Sequence, residues 1–190
     1  MTNGDWIALF RLIAVALSYP DGQFVHRVQE AIGEVRVDLA RDEPRLTLAA
    51  LSRDLGRLAL LPLDQVQGEY TRLFISAYPR VPCPPYESVY TEGELFGLAA
   101  EDTDDLYRRW GLVADAEATD HAGAELEFMA FLLALDSPES HAAANQFLAE
   151  HIMIWLPQFA SDLAKQSRLR FYQAVGALLA AALECRRLVA

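Results

Sequence analysis

Residues 120–135 read Asp-His-Ala-Gly-Ala-Glu-Leu-Glu-Phe-Met-Ala-Phe-Leu-Leu-Ala-Leu, and this stretch decides the fold class. Its first two turns carry Asp120, His121, Glu125 and Glu127, whereas Phe128 to Leu135 has no polar residue on any face. A helix that is apolar all round is a buried helix. The spacing therefore predicts a helix over 120–135, with its polar head at an opening and its tail in the core. Helical spacing continues in both directions. Trp6, Leu9, Phe10, Ile13 and Leu17 recur at intervals of three and four up to Pro20, and Phe24 to Val35 reads as a second helix. Pro44 opens a leucine-rich run that Pro62 stops, and Asp64 to Ile75 resumes with Val66, Tyr70, Leu73 and Phe74. Thr91 to Trp110 reads as helix, broken near Glu101–Asp105, with Gly111 as its stop. Pro138 starts a helix that is interrupted or bent at Pro157, and Phe171 to Val189 forms the last. With no alternating strand pattern, the expected fold is all-α: residues 1–190 as a single-domain helical bundle of about eight or nine helices.

One segment resists helix. Residues 78–86, Tyr-Pro-Arg-Val-Pro-Cys-Pro-Pro-Tyr, hold four prolines, each fixing its own φ and restraining its predecessor. This is an extended, stiff loop.

Composition narrows the function. The chain has 190 residues, 53% of them hydrophobic, which is enough for a sizeable core. Its longest apolar run, Ala174 to Leu183, is half of the roughly 20 residues a membrane span needs, so no integral membrane segment is expected. The N-terminal stretch, interrupted by Arg11 and lacking a basic head, does not read as a secretory signal. Cys83 and Cys185 stand far apart, which suits a reducing compartment and offers no zinc spacing. The net charge is −11, and nearly all of it sits in Glu87–Glu127, where twelve acidic residues face only Arg108 and Arg109. That sign argues against nucleic acid as a partner. It favours a cationic partner or simple solubility.

No phosphate loop, dinucleotide fingerprint, GxSxG or HExxH motif occurs. Three constellations remain, each with a plain reading beside a functional one. In Asp120-His121-x-x-x-Glu125, His121 and Glu125 share a face at i and i+4. Asp120 capping its own helix through the N–H of Ala122 or Gly123, with His121 and Glu125 as a surface pair, is one reading. A peptide site or a metal site is the other. In Pro84-Pro85-Tyr86-Glu87-Ser88-Val89-Tyr90, two tyrosines behind a rigid turn suit a partner's apolar segment or an ordinary packed loop. Ser88 lacks a base and is no nucleophile. Tyr70-x-x-Leu73-Phe74 fits core packing or a groove wall.

At these motifs the chain resembles the TorD/DmsD/NarJ family of molybdoenzyme maturation chaperones. The matching stretches are Tyr70-Thr71-Arg72-Leu73-Phe74, Pro84 to Tyr90, and Asp120 to Ala130, with a later His151-to-Trp155 and Phe171-Tyr172 pattern. Thr119 stands where proline commonly precedes the Asp-His pair, and Tyr86 stands where one branch has tryptophan. The resemblance implies an all-helical fold, a cytoplasmic location and no catalysis; no cofactor is expected and no residue is assigned to a metal. It also implies a partner: the catalytic subunit of a molybdopterin-containing oxidoreductase, bound through its N-terminal leader and held for cofactor insertion. A homodimer is compatible with it. By position, Tyr86, Glu87, Tyr90, Asp120 and His121 fall in the leader-binding region, and Tyr70, Phe74, Ser88 and Glu125 complete the candidate set. The leader's apolar stretch would lie against Phe74, Tyr86 and Tyr90, and its arginines would meet carboxylates of the acidic segment. His121 would be held by Asp120 or Glu125. The alternative is a helical-bundle metal-binding protein or metalloenzyme using His121 and Glu125.

Overall fold

In the computed structural model, which describes residues 2–35, 42–113 and 119–187, ten α-helical segments follow one another. They are α1 (Asn3–Ala16), α2 (Phe24–Glu34), α3 (Asp42–Leu58), α4 (Leu63–Tyr70), α5 (Glu87–Thr91), α6 (Leu98–Arg109), α7 (Ala122–Leu135), α8 (Pro138–Phe147), α9 (Met153–Gln166) and α10 (Arg170–Arg187). A π-helical turn, Leu148–Ile152, joins α8 to α9, and another, Thr71–Ile75, extends α4. The all-α expectation therefore holds, with nine continuous helices among the described residues. Asp115 and Glu117 of the acidic segment, and the end of the last predicted helix, lie outside the described residues.

The helices start and stop for local reasons. Thr2 and Asp5 form a reciprocal capping box at α1, and Ser137 and Ser140 form another at α8, with Pro138 in its first turn. Gly111, at φ 73°, ends the turn after α6. Two predicted breaks move. The helix expected over Thr91–Trp110 is interrupted at 92–97, not at Glu101–Asp105. There Gly93 (φ 83°) and Phe96 (φ 61°) take left-handed backbone, which helix cannot accommodate. The acidic run instead sits inside α6, where Glu101 in the first turn faces the positive end of the helix dipole and Asp104 pairs with Arg108 at 2.7 Å. The disturbance expected at Pro157 appears earlier, as the π turn 148–152. Proline removes an N–H and crowds the carbonyl four residues before it, so the preceding turn widens.

One apolar cluster draws from both ends of the chain, including Trp6, Phe10, Phe24, Trp155, Phe171 and Tyr172. α1 packs along α7, and α10 packs against α9 and α3. α10 approaches α9 closely at Gly176. A Cβ there would stand 2.6 Å from the Ala160 carbonyl oxygen and 2.8 Å from the Ala164 nitrogen of α9. Tyr70 belongs to this interior: its hydroxyl donates to the Leu17 carbonyl at 3.0 Å, tying α4 to the end of α1.

Candidate functional site

The proline loop meets the start of α7 in a single antiparallel bridge between Tyr86 and His121. The Glu87 N–H donates to the Asp120 carbonyl at 3.0 Å, and the Ala122 N–H donates to the Pro85 carbonyl at 2.9 Å. These bonds place the Tyr86 and His121 rings edge-to-face, 5.4 Å apart. Residues 35 apart in sequence thus become neighbours.

Beside this junction opens a cleft of about 740 Å³. Phe74, Tyr86 and Tyr90 line it, with Ile75 and Leu95 toward its edges and Arg80, Glu94 and Asp162 as its charges. Phe74 is held by Tyr70 and Tyr172, with ring centroids at 4.7 and 5.5 Å. Tyr90 packs on Trp155 at 5.4 Å, and its hydroxyl donates to Asp162 Oδ2 at 3.3 Å. Burial and the Asp162 charge raise the Tyr90 pKa, so the phenol stays protonated and remains a donor. Cys83, wholly buried behind the loop, has its thiol pushed up to about 12 by burial, and so is not a thiolate nucleophile at neutral pH.

The carboxylates of the motifs lie beneath the cleft rather than in it. Of the polar head of α7, expected at an opening, Asp120 and Glu125 are buried and His121 is half-buried, while Glu127 is exposed; the far end, at Leu135, is exposed as well. Asp120 does not cap its own helix. Its Oδ2 accepts from the Ser88 N–H at 2.9 Å and so caps α5 from outside. His121 is the N-cap of α7 instead: on extended backbone (φ −73°, ψ 136°), its Nδ1 accepts from the Gly123 N–H at 3.0 Å. Because His121 sits outside the helix, the i, i+4 face shared with Glu125 does not form, and neither Asp120 nor Glu125 holds the ring. Burial lowers the His121 pKa, partly opposed by the Asp120 charge, so the ring is neutral at pH 7. Glu125 is no surface partner either; it is fully buried and accepts from Trp155 Nε1 at 3.0 Å. Burial, then the adjacent Glu87 charge, drives its pKa well above the usual carboxyl value. Glu87, also buried, accepts from His151 Nδ1 at 2.9 Å. Ser88 is wholly buried as well. Among the described residues no group of three His, Cys, Asp or Glu side chains is placed to hold a metal ion.

Sequence reasoning missed the residues that hold this arrangement. Glu69 takes a bidentate pair from Arg72 (2.8 Å each) and the Arg168 N–H at 2.6 Å, clamping α4 to the α9–α10 turn. Burial raises the Glu69 pKa, but the Arg72 and Arg168 bonds outweigh it and the net shift is downward. The i, i+3 spacing of Glu69 and Arg72 was visible, but its partner 99 residues on was not.

The family model described as nitrate reductase delta subunit matches residues 38–161. The perchlorate reductase assembly chaperone of Dechloromonas aromatica is 27% identical, over 88% of this chain and 81% of that protein. Chaperone protein TorD of Vibrio cholerae is 27% identical over 60% of this chain, which spans 57% of it. The Tat proofreading chaperone DmsD of Salmonella typhi is 33% identical over 57% of this chain, which spans 54% of it. A crystal structure of an Archaeoglobus fulgidus protein assigned to redox enzyme maturation superposes with a TM-score of 0.67 at 26% identity. That match covers 95% of this chain and 93% of the other.

Proposed function

The chain belongs to the nitrate reductase delta subunit family, the group of TorD-, DmsD- and NarJ-type maturation chaperones, and from that membership we propose how it works. Residues 1–190 act as one cytoplasmic chaperone domain that binds the N-terminal leader of a molybdopterin oxidoreductase catalytic subunit. The leader, of the twin-arginine type, is held until cofactor insertion and only then released to assembly or export. The protein is a binding module, not an enzyme.

The observation that carries this reading is the junction of Tyr86 and His121 at the edge of an aromatic cleft. An apolar segment laid into it covers Phe74, Tyr86 and Tyr90, on the helix-in-groove pattern. His121, neutral and with Nδ1 already occupied by Gly123, has Nε2–H to offer a peptide carbonyl. Glu87, Ser88, Asp120 and Glu125 act from below by fixing α5 and the start of α7, so they position the aromatic wall without touching the peptide. The metal-binding alternative loses its basis in this reading, since His121 and Glu125 each serve a different partner.

Calorimetric titration with a synthetic peptide carrying an arginine pair followed by an apolar stretch tests the reading. Tyr86→Ala or Tyr90→Ala should weaken binding about tenfold or more, the loss expected when a buried aromatic contact is removed. Circular dichroism should show the fold retained. Unchanged affinity in both variants would refute the cleft as the binding site.

A further inference from the structure

The turn between α5 and α6 is an unusual piece of surface. Leu95, Phe96 and Leu98 are 50%, 62% and 70% exposed, three large apolar side chains within four residues. Phe96 also sits at φ 61°, left-handed backbone in which a bulky residue is strained. The turn is nevertheless firmly built. The Glu92 carboxylate accepts from the Leu98 N–H at 2.7 Å and the Ala99 N–H at 2.9 Å, and it occupies the space beside Gly97, so a side chain there would have to displace it from these bonds. The N–H groups of Glu92 and Gly93 both return to the Ser88 carbonyl. A strained, exposed phenylalanine in a tightly fixed turn is held out rather than left over.

The turn is continuous with the cleft, since Gly93, Glu94 and Leu95 line it. Beyond Leu98, the outer face of α6 turns acidic. Leu98, Glu101, Asp102 and Asp105 follow at i, i+3, i+4 and i+7 and are all exposed, while Ala99, Thr103 and Tyr107 face the core. Glu101, Asp102 and Asp105 form no ion pair among the described residues, while Arg108 is engaged by Asp104. An apolar knob thus passes directly into a stripe of unpaired carboxylates.

We propose that this turn and the outer face of α6 extend the cleft into a two-part docking surface. Leu95, Phe96 and Leu98 cover the apolar stretch of a bound client segment, and Glu101, Asp102 and Asp105 receive the basic residues that precede it. The occupant follows from charge complementarity with a surface that is greasy at one end and anionic at the other. The assignment rests on the leader-binding reading above, and it names which carboxylates the arginines meet: those of α6, not the buried Asp120, Glu87 and Glu125.

The same arginine-pair peptide, titrated at low and high salt, tests this. Phe96→Gly relieves the backbone strain, so its unfolding temperature should match or exceed that of the parent chain, while peptide affinity falls about tenfold. Leu98→Gln, on an exposed helix face, should show the same loss and guards against a turn-specific artefact. Glu101→Gln/Asp102→Asn/Asp105→Asn should weaken binding at low salt and flatten its salt dependence. Parent-like affinity in both Phe96→Gly and Leu98→Gln, with Tyr90→Ala still defective, overturns the docking surface and leaves the cleft reading intact. An unchanged salt dependence in the triple variant overturns the assignment of the basic residues to α6. No binding of the peptide by the parent chain overturns both readings together.

Discussion

Replacing His151 by alanine tests whether the buried polar layer under the cleft is a structural element. His151 Nδ1 donates to Glu87 Oε2 at 2.9 Å, and both side chains are withdrawn from water, 10% and 2% exposed. Removing the imidazole leaves a carboxylate at the start of α5 with little solvent and only the buried, neutral Glu125 carboxyl beside it. Breaking a buried pair from one side typically costs about 3–5 kcal/mol. For a chain of this length, that corresponds to a fall in thermal midpoint of about 6–20 °C. Part of the loss is packing, because the His151 ring also stacks on Phe147 at 4.8 Å. A double-mutant cycle separates the two. If the unpaired charge dominates, adding Glu87→Gln to His151→Ala should restore about 1–3 kcal/mol, the cost of a buried unsatisfied polar group. Thermal and urea unfolding followed by circular dichroism measure all four corners. A His151→Ala midpoint within about 2 °C of the parent, or a double variant no more stable than His151→Ala, would refute the reasoning.

Two further outcomes follow from the same geometry. Gly176→Ala drives a methyl group into the Ala160 carbonyl and the Ala164 amide of α9, so α9 and α10 must separate; a loss of about 1–3 kcal/mol in urea unfolding is expected, and parent-like stability would show that the helices can yield. Glu125 has a folded-state pKa raised above 4.5, so the folded chain holds a proton that the unfolded chain has released, and its contribution, complete below about pH 4.5, is lost as pH rises through the folded value. Glu125→Gln, which cannot ionise, should therefore lose less stability than the parent as pH rises above the ordinary carboxyl range, and equal slopes would count against a buried neutral acid at this position.

The fold was legible because burial and helical period are local. Trp6, Leu9, Phe10 and Ile13 predict their own burial from spacing alone, and the four prolines of 78–86 exclude helix without reference to anything distant. The π turn at 148–152 and the break at 92–97 were displaced from where local signals put them. Pro157 acts on the turn before it, and the acids of α6 suit a helix start better than a helix break. The candidate site was legible in part. That Tyr86 and His121 belong together followed from a resemblance carried by their flanking motifs, and the bridge between them supplies the geometry.

What no reading of spacing supplies is where each polar side chain finds its partner. Asp120, His121 and Glu125 lie within six residues of one another and look like one constellation. In the folded chain Asp120 reaches back 32 positions to Ser88, Glu125 reaches forward 30 to Trp155, and His121 turns onto its own helix start. Glu87, next to Tyr86, pairs with a histidine 64 positions away. The sequence by itself determined an all-helical chain with an aromatic, proline-stiffened loop and a strongly acidic middle. Only the tertiary structure decided which of those acids are sealed inside and which remain on the outer face of α6. The reason is that an apolar side chain needs only to leave water, whereas a buried carboxylate needs one particular donor, and packing alone determines which donor lies within reach.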